Sequence, residues 1–213
     1  YRAAFKRMTR SAAITPNALR ATLAAYVRSL VVLDSRFDAA VRGDVRALTA
    51  KERNGFTVFM GKGRCGTCHF APLFGGALPP AFVTSEPEII GVPTRPDTSH
   101  AVLDEDQGRA GVDGIPEHQH AFTVPSLRNV ERTAPYMHNG AFATLEQVVD
   151  FYNRGGGAGV GAHVPRQTLS TTPLHLTVGE QRDLVAFLKA LTDHPRSVDS
   201  VSHLHQSLHD QDQ

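Results

Sequence analysis

The chain has 213 residues, of which 22 are basic, 21 acidic and 41% hydrophobic, enough for one large domain or two small ones. No cluster of lysine or arginine marks a nucleic-acid surface, and no apolar run approaches the ~20 residues of a membrane span. Position 1 is not a methionine, and no segment with a charged start and an apolar middle stands at the N-terminus.

Residues 1–14 carry Tyr1, Phe5 and Met8 among basic side chains and read as a helical remnant. A clearer helix starts after Thr15, where Pro16 suits the first helical position. Leu19, Leu23, Tyr26, Val27 and Leu30 recur at helical spacing and form one apolar face. Residues 33–48 are a connecting segment broken at Asp34-Ser35 and Gly43-Asp44. Thr49 and Glu52 make a capping box for a short helix bearing Phe56, Val58, Phe59 and Met60, which Gly61 and Gly63 end.

The chain then reads Arg64-Cys65-Gly66-Thr67-Cys68-His69. Two cysteines two residues apart with a histidine directly after form the attachment sequence of a c-type haem. Both thiols add across the vinyl groups of one porphyrin, and His69 then supplies the imidazole beneath the iron. The other readings of such a pair are weaker. Zinc needs four soft ligands, and Cys65 and Cys68 are the only cysteines. A thioredoxin-type pair needs a surrounding βαβ pattern, and a disulfide across so short a loop adds little stability.

Residues 70–120 are irregular, with turns at Pro79-Pro80 and Pro93, and are expected to wrap the cofactor as loops. Pro125, Pro135 and Asn139-Gly140 exclude a continuous helix over 122–143. A second capping box, Thr144 with Gln147, opens a helix on which Leu145, Val148, Val149 and Tyr152 share the buried face. Gly155-Gly156-Gly157 ends it. A third box, Thr177 with Glu180, opens a last amphipathic helix carrying Leu184, Val185, Leu188 and Leu191. Beyond Pro195 the tail is polar and expected to be mobile, with His203, His205 and His209 in it. The fold class is mainly α: a cytochrome c-like haem domain with long cofactor-wrapping loops and no internal repeat.

What the haem does depends on the other face of the iron. Met60, Met137, His138 and Tyr152 are the candidate ligands there, with Met8 remote. Met60 stands so close before the motif that core packing is expected. Met137 lies in an irregular segment that can aim a thioether at iron, which raises the potential. Tyr152 offers an anionic oxygen that favours ferric iron. Taken one at a time, each of these side chains reads as ordinary packing.

The run Phe122-Thr-Val-Pro-Ser-Leu-Arg-Asn129, then Thr133-Ala-Pro-Tyr-Met-His-Asn-Gly140 and Thr144-Leu-Glu-Gln-Val-Val149, resembles the C-terminal domain of bacterial di-haem cytochrome c peroxidases and of their relative MauG. The likeness runs from about residue 17 to 192 and includes Ser35-Arg-Phe37-Asp38, the haem motif and the Gln107-Gly-Arg-Ala loop. It implies residues 1–48 as the end of an N-terminal haem domain with its linker helix, 49–195 as the C-terminal haem domain, and 196–213 as a tail. The peroxidases place a methionine opposite the histidine, on the helix after the Pro-Tyr-x-His segment; that position here holds Tyr152, and MauG has a tyrosine there. The resemblance therefore favours Tyr152 over Met137. It also implies a calcium ion held partly by the carbonyls of Thr133 and Pro135.

Members of that family carry two haems, and peroxide reacts at the N-terminal one, beside a distal glutamate. This chain is thus expected to supply haem c for electron transfer to a peroxide-reactive haem in an N-terminal half. The implied compartment is the periplasm. The implied partners are a small redox protein (a cytochrome c or cupredoxin), a protein tryptophan oxidised at a distance in the MauG-like case, and hydrogen peroxide at the other haem. Two other readings stand beside it: a mono-haem electron-transfer cytochrome with Met137 as ligand, and a haem-based sensor with one exchangeable ligand.

Overall fold

The computed structural model describes residues 1–10, 13–29, 33–96 and 100–194. The chain forms two compact units that meet between Leu33 and Asp34. The first holds α1 (Arg2–Thr9) and α2 (Pro16–Ser29). Helical spacing on α2 is as expected, but Leu19, Leu23, Tyr26 and Val27 are all exposed. Two short helices build no core of their own, and α1 buries no residue. Leu30 and the histidines of the tail lie outside the described residues.

The second unit contains α3 (Arg36–Val41), α4 (Ala50–Met60), α5 (Ala110–Asp113), α6 (Leu145–Asn153), α7 (Gly156–Gly159) and α8 (Val178–Ala190). Each of the three expected capping boxes is present with both of its hydrogen bonds, at Thr49, Thr144 and Thr177. A fourth opens α3, where Ser35 caps Asp38 and Asp38 returns the bond. Residues 34–48, read from sequence as connecting chain, therefore include a capped helix. They pack with the second unit, because Phe37 and Leu48 are buried in its core.

The helices α4 and α8 cross where Gly55 faces the Asp183 carbonyl; a Cβ on Gly55 would lie 1.9 Å from that oxygen. Only a glycine lets the two backbones approach this closely. Around the crossing, Phe37, Phe59, Phe74 and Phe187 pack with ring centroids 5.0 to 5.8 Å apart, mostly edge-on. A smaller apolar cluster under α6 joins Phe142, Phe151 and Val160.

Between α4 and α6 the chain is mainly loop, as expected. A two-residue antiparallel ladder joins β1 (Pro87–Glu88) to β2 (Phe122–Thr123). It brings Glu88 back beside the cysteine turn. No described helix is long and apolar enough to cross a membrane.

Candidate haem-binding site

The cysteine turn is a direct consequence of how α4 ends. The Gly61 and Gly63 amides bond back to the Thr57 and Val58 carbonyls, and Arg64 turns the chain with φ +54°. Residues Cys65–Thr67 then form a single 3-10 turn, closed by the Cys68 and His69 amides on the Cys65 carbonyl. The Met60 side chain lies against Gly66 and would have to swing aside for a Cβ there, which would stand 2.8 Å from the Met60 sulfur. Met60 is thus not a core residue, as its place in the sequence implied. It is half exposed and lies over the outer face of the turn.

Cys65 and Cys68 are both free and half-buried. The Cys65 thiol points at the Gly63 carbonyl, 3.4 Å away, and burial pushes its pKa up to about 12. Burial also raises that of Cys68, whose sulfur lies 3.6 Å from Glu88 Oε1. A redox-active pair needs a thiolate with a lowered pKa. These two thiols are protonated at neutral pH, which argues against a thioredoxin-type role.

The His69 Nδ1 lies 3.0 Å from the Phe74 carbonyl oxygen. With the proton on Nδ1, this bond leaves the Nε2 lone pair available to a metal, the usual arrangement of a ligating histidine. Burial lowers the imidazole pKa, against the carbonyls of Phe74 and Pro125 and the charge of Glu88, so the ring is neutral at pH 7.

Tyr152 sits on α6, its ring 5.5 Å from that of Phe151. Its hydroxyl makes no hydrogen bond among the described residues. Burial pushes its pKa well above the ordinary tyrosine value, and Cys65, Cys68 and Glu88 add to the rise. The phenol is therefore within electrostatic reach of the cysteine turn. Met137, at φ +69°, packs against the same small cluster as Tyr152. His138 is otherwise engaged: its Nε2 is 3.1 Å from Asp104 Oδ1, and its ring stacks on Phe122 at 3.7 Å. Thr133 and Pro135 lie on an exposed turn, where neither carbonyl accepts a hydrogen bond among the described residues.

No family model matches the sequence. Curated relatives do. Cytochrome-c peroxidase IdrP2 of Denitromonas iodatirespirans is 38% identical over 185 residues, covering 81% of this chain and 48% of the relative. Methylamine utilization protein MauG of Methylorubrum extorquens is 31% identical over 178 residues, covering 84% of this chain and 45% of the relative. Among solved structures, a MauG-like protein associated with microbial copper homeostasis superposes with a TM-score of 0.66 at 29% identity, covering 89% of this chain and 61% of that one.

The chain belongs to the cytochrome-c peroxidase and MauG family. The mainly helical, cytochrome c-like fold expected from the sequence is the fold of this family member. The chain spans about half the length of the curated relatives it matches.

The structure holds Cys65, Cys68 and His69 on one turn, with Tyr152 within electrostatic reach of both thiols and Met137 on the apolar cluster that Tyr152 also packs against. Three neighbours were not foreseen. Glu88 reaches the thiols only through the short β1–β2 ladder. Phe74, fully buried, gives its carbonyl to His69. Arg128 holds the loop that carries Phe74 and pairs with Asp38, 90 positions away. A lone arginine inside an apolar, proline-bearing segment was the one signal available for it.

Proposed function

We propose that this chain carries one haem c, attached through Cys65 and Cys68 and ligated by His69 and Tyr152. It would serve as the electron-transfer portion of a di-haem peroxidase-type oxidoreductase, MauG-like or cytochrome c peroxidase. One observation carries the reading: two free thiols and an imidazole engaged at Nδ1 share one turn, and a phenol with no hydrogen bond among the described residues feels the charge of both thiols. When bound, the haem iron supplies one-electron redox chemistry.

The chain's residues account for the rest. Cys65 and Cys68 anchor the porphyrin, and His69 presents a fixed, neutral Nε2. The fully buried Phe59 ring lies 6.5 Å from the imidazole and packs edge-on against Phe74, which gives that side of His69 an apolar backing. His69 and Tyr152 would be the two protein ligands to the iron, and two fixed protein ligands would keep reorganisation small during transfer. Peroxide is assigned to a second haem outside this chain. Electrons come from a small cytochrome c or cupredoxin, or from a protein substrate oxidised at a distance, and the compartment is the periplasm. The unengaged carbonyls of Thr133 and Pro135 suit a calcium ion, a hard cation that takes oxygen ligands.

The test is export-competent expression followed by intact mass and a pyridine haemochrome spectrum. One covalent haem per chain is expected, lost in Cys65→Ser with Cys68→Ser, with poor peroxide turnover by the chain alone. A colourless product of unmodified mass would overturn the assignment. Rapid turnover by the one-haem protein would overturn the electron-transfer role.

A second reading draws on Met137, which packs against the same apolar cluster as Tyr152: a mono-haem electron-transfer cytochrome with a methionine ligand. A near-infrared ferric band of methionine ligation that survives in Tyr152→Phe and vanishes in Met137→Leu would select it.

A further inference from the structure

We infer that Arg128, braced by Asp38, positions the histidine ligand by fixing the loop whose carbonyl holds the His69 Nδ1. The inference rests on the reading of His69 as an iron ligand. Three consecutive carbonyls in that loop are held by three consecutive residues, Ser126, Leu127 and Arg128, of the segment that follows β2. Arg128 Nε donates to the Pro72 oxygen at 3.0 Å, and a second guanidinium nitrogen donates to it at 2.6 Å. The Ser126 hydroxyl donates to the Leu73 oxygen. The Leu127 amide donates to the Phe74 oxygen at 3.0 Å, the same oxygen that faces His69 Nδ1 at 3.0 Å.

Arg128 is itself rigidly held. Its guanidinium meets both carboxylate oxygens of Asp38, at 2.6 and 2.9 Å, and reaches the Ser35 hydroxyl at 3.2 Å. Both side chains of the ion pair are about nine-tenths buried. The guanidinium also lies over the rings of Phe74 and Phe37, 5.4 and 5.7 Å from their centroids. Only a planar fork makes these contacts together; a lysine ammonium cannot.

The next residue locks the same segment from the other side. Asn129 and Asp193 exchange hydrogen bonds at 2.9 Å, and Asp193 accepts the Asp34 amide at 2.9 Å. The stretch 34–38 is thus clamped to the loop that orients His69. A displacement of that stretch reaches the imidazole through Asp38, Arg128 and the carbonyls of residues 72–74, with no contact at the iron.

The Nδ1–H to carbonyl bond makes the imidazole more basic and favours ferric iron. Loosening it moves the equilibrium towards ferrous. The test uses the full chain with its haem attached, and measures the midpoint potential by spectroelectrochemistry alongside haem content and melting temperature. Arg128→Lys and Asp38→Asn are each expected to raise the ferrous-to-ferric ratio at fixed potential about tenfold, equivalent to about 59 mV for one electron. Ser126→Ala, an exposed site that leaves the ion pair intact, is expected to move it the same way by a smaller factor. The control is Gln167→Ala, which removes three part-buried hydrogen bonds, to the Gly155 and Leu169 carbonyls and from the Ala158 amide, and touches neither residues 34–38 nor 72–74.

Unchanged midpoints in the Arg128 and Asp38 variants with full haem content overturn the inference. So does an equal shift in the Gln167 variant, which marks general loosening. A wild-type chain that lacks haem fails at the earlier step, and the haemochrome spectrum separates that failure from this one.

Discussion

Replacing Gly55 by alanine sets two effects of known size against each other. Helix propensity favours alanine by about 0.8–1.0 kcal/mol in a helix interior. Packing opposes it. The new Cβ would stand 1.9 Å from the Asp183 oxygen, 2.6 Å from its carbonyl carbon and 2.7 Å from the Phe187 Cβ. Two of those atoms are backbone, so no side-chain rotation relieves the clash; α8 must retreat by about 1.5 Å to restore ordinary contact. That retreat parts Phe187 from Phe37, Phe56 and Phe59. Overpacking typically costs about 1–3 kcal/mol, and the loosened rings add to it. We expect a net loss of about 2 kcal/mol, a fall in melting temperature of about 4–8 °C for a unit of this size. Calorimetry on the chain with its haem attached measures it. Because α4 leads straight into the cysteine turn, the yield of attached haem should fall as well. An equal or higher melting temperature would refute the reasoning.

Three further outcomes follow from the same contacts. Phe187→Ala empties the centre of the aromatic cluster and should cost about 3–5 kcal/mol in urea unfolding. Burial raises the Asp38 pKa, but hydrogen bonds from Arg128 and Ser35 outweigh it and leave the folded value below the ordinary one. Its stabilisation is therefore complete above about pH 4 and lost as the pH falls further. The stability gap between wild type and Asp38→Asn, about 3 kcal/mol at pH 6, should narrow at about pH 3 in parallel urea titrations. Tyr152→Phe should open the sixth position of ferric iron, read as a change from low-spin to high-spin absorption with new binding of cyanide or azide. A spectrum like that of wild type would remove Tyr152 from the ligand set.

The capping boxes at Thr49, Thr144 and Thr177 were legible because a cap is a local event: the two hydrogen bonds join residues three apart. Ser35 and Asp38 form the same device, yet Asp38 also has a distant role that masked it, as partner of Arg128. Met60 was misplaced because nearness to the cysteine motif along the chain does not say which way a side chain faces. On α4 the position next to the cysteine turn faces outward, over Gly66. The α2 stripe shows the same limit: spacing revealed one face, and the structure leaves its residues exposed.

The capping boxes, the course of α2, α4, α6 and α8, and the family were legible in the sequence, since each is written in residues close together along the chain. Tertiary structure alone decided what surrounds the reactive groups. Glu88 lies beside Cys68, the phenol of Tyr152 within reach of both thiols, and the Phe74 carbonyl under His69. The place of Glu88 depends on the β1–β2 ladder, and that of the Phe74 carbonyl on the Leu127 amide and on Arg128 meeting Asp38. The physical reason is that long-range ion pairs and backbone contacts leave no periodic trace in sequence. They form only when segments about a hundred residues apart lose their conformational freedom together.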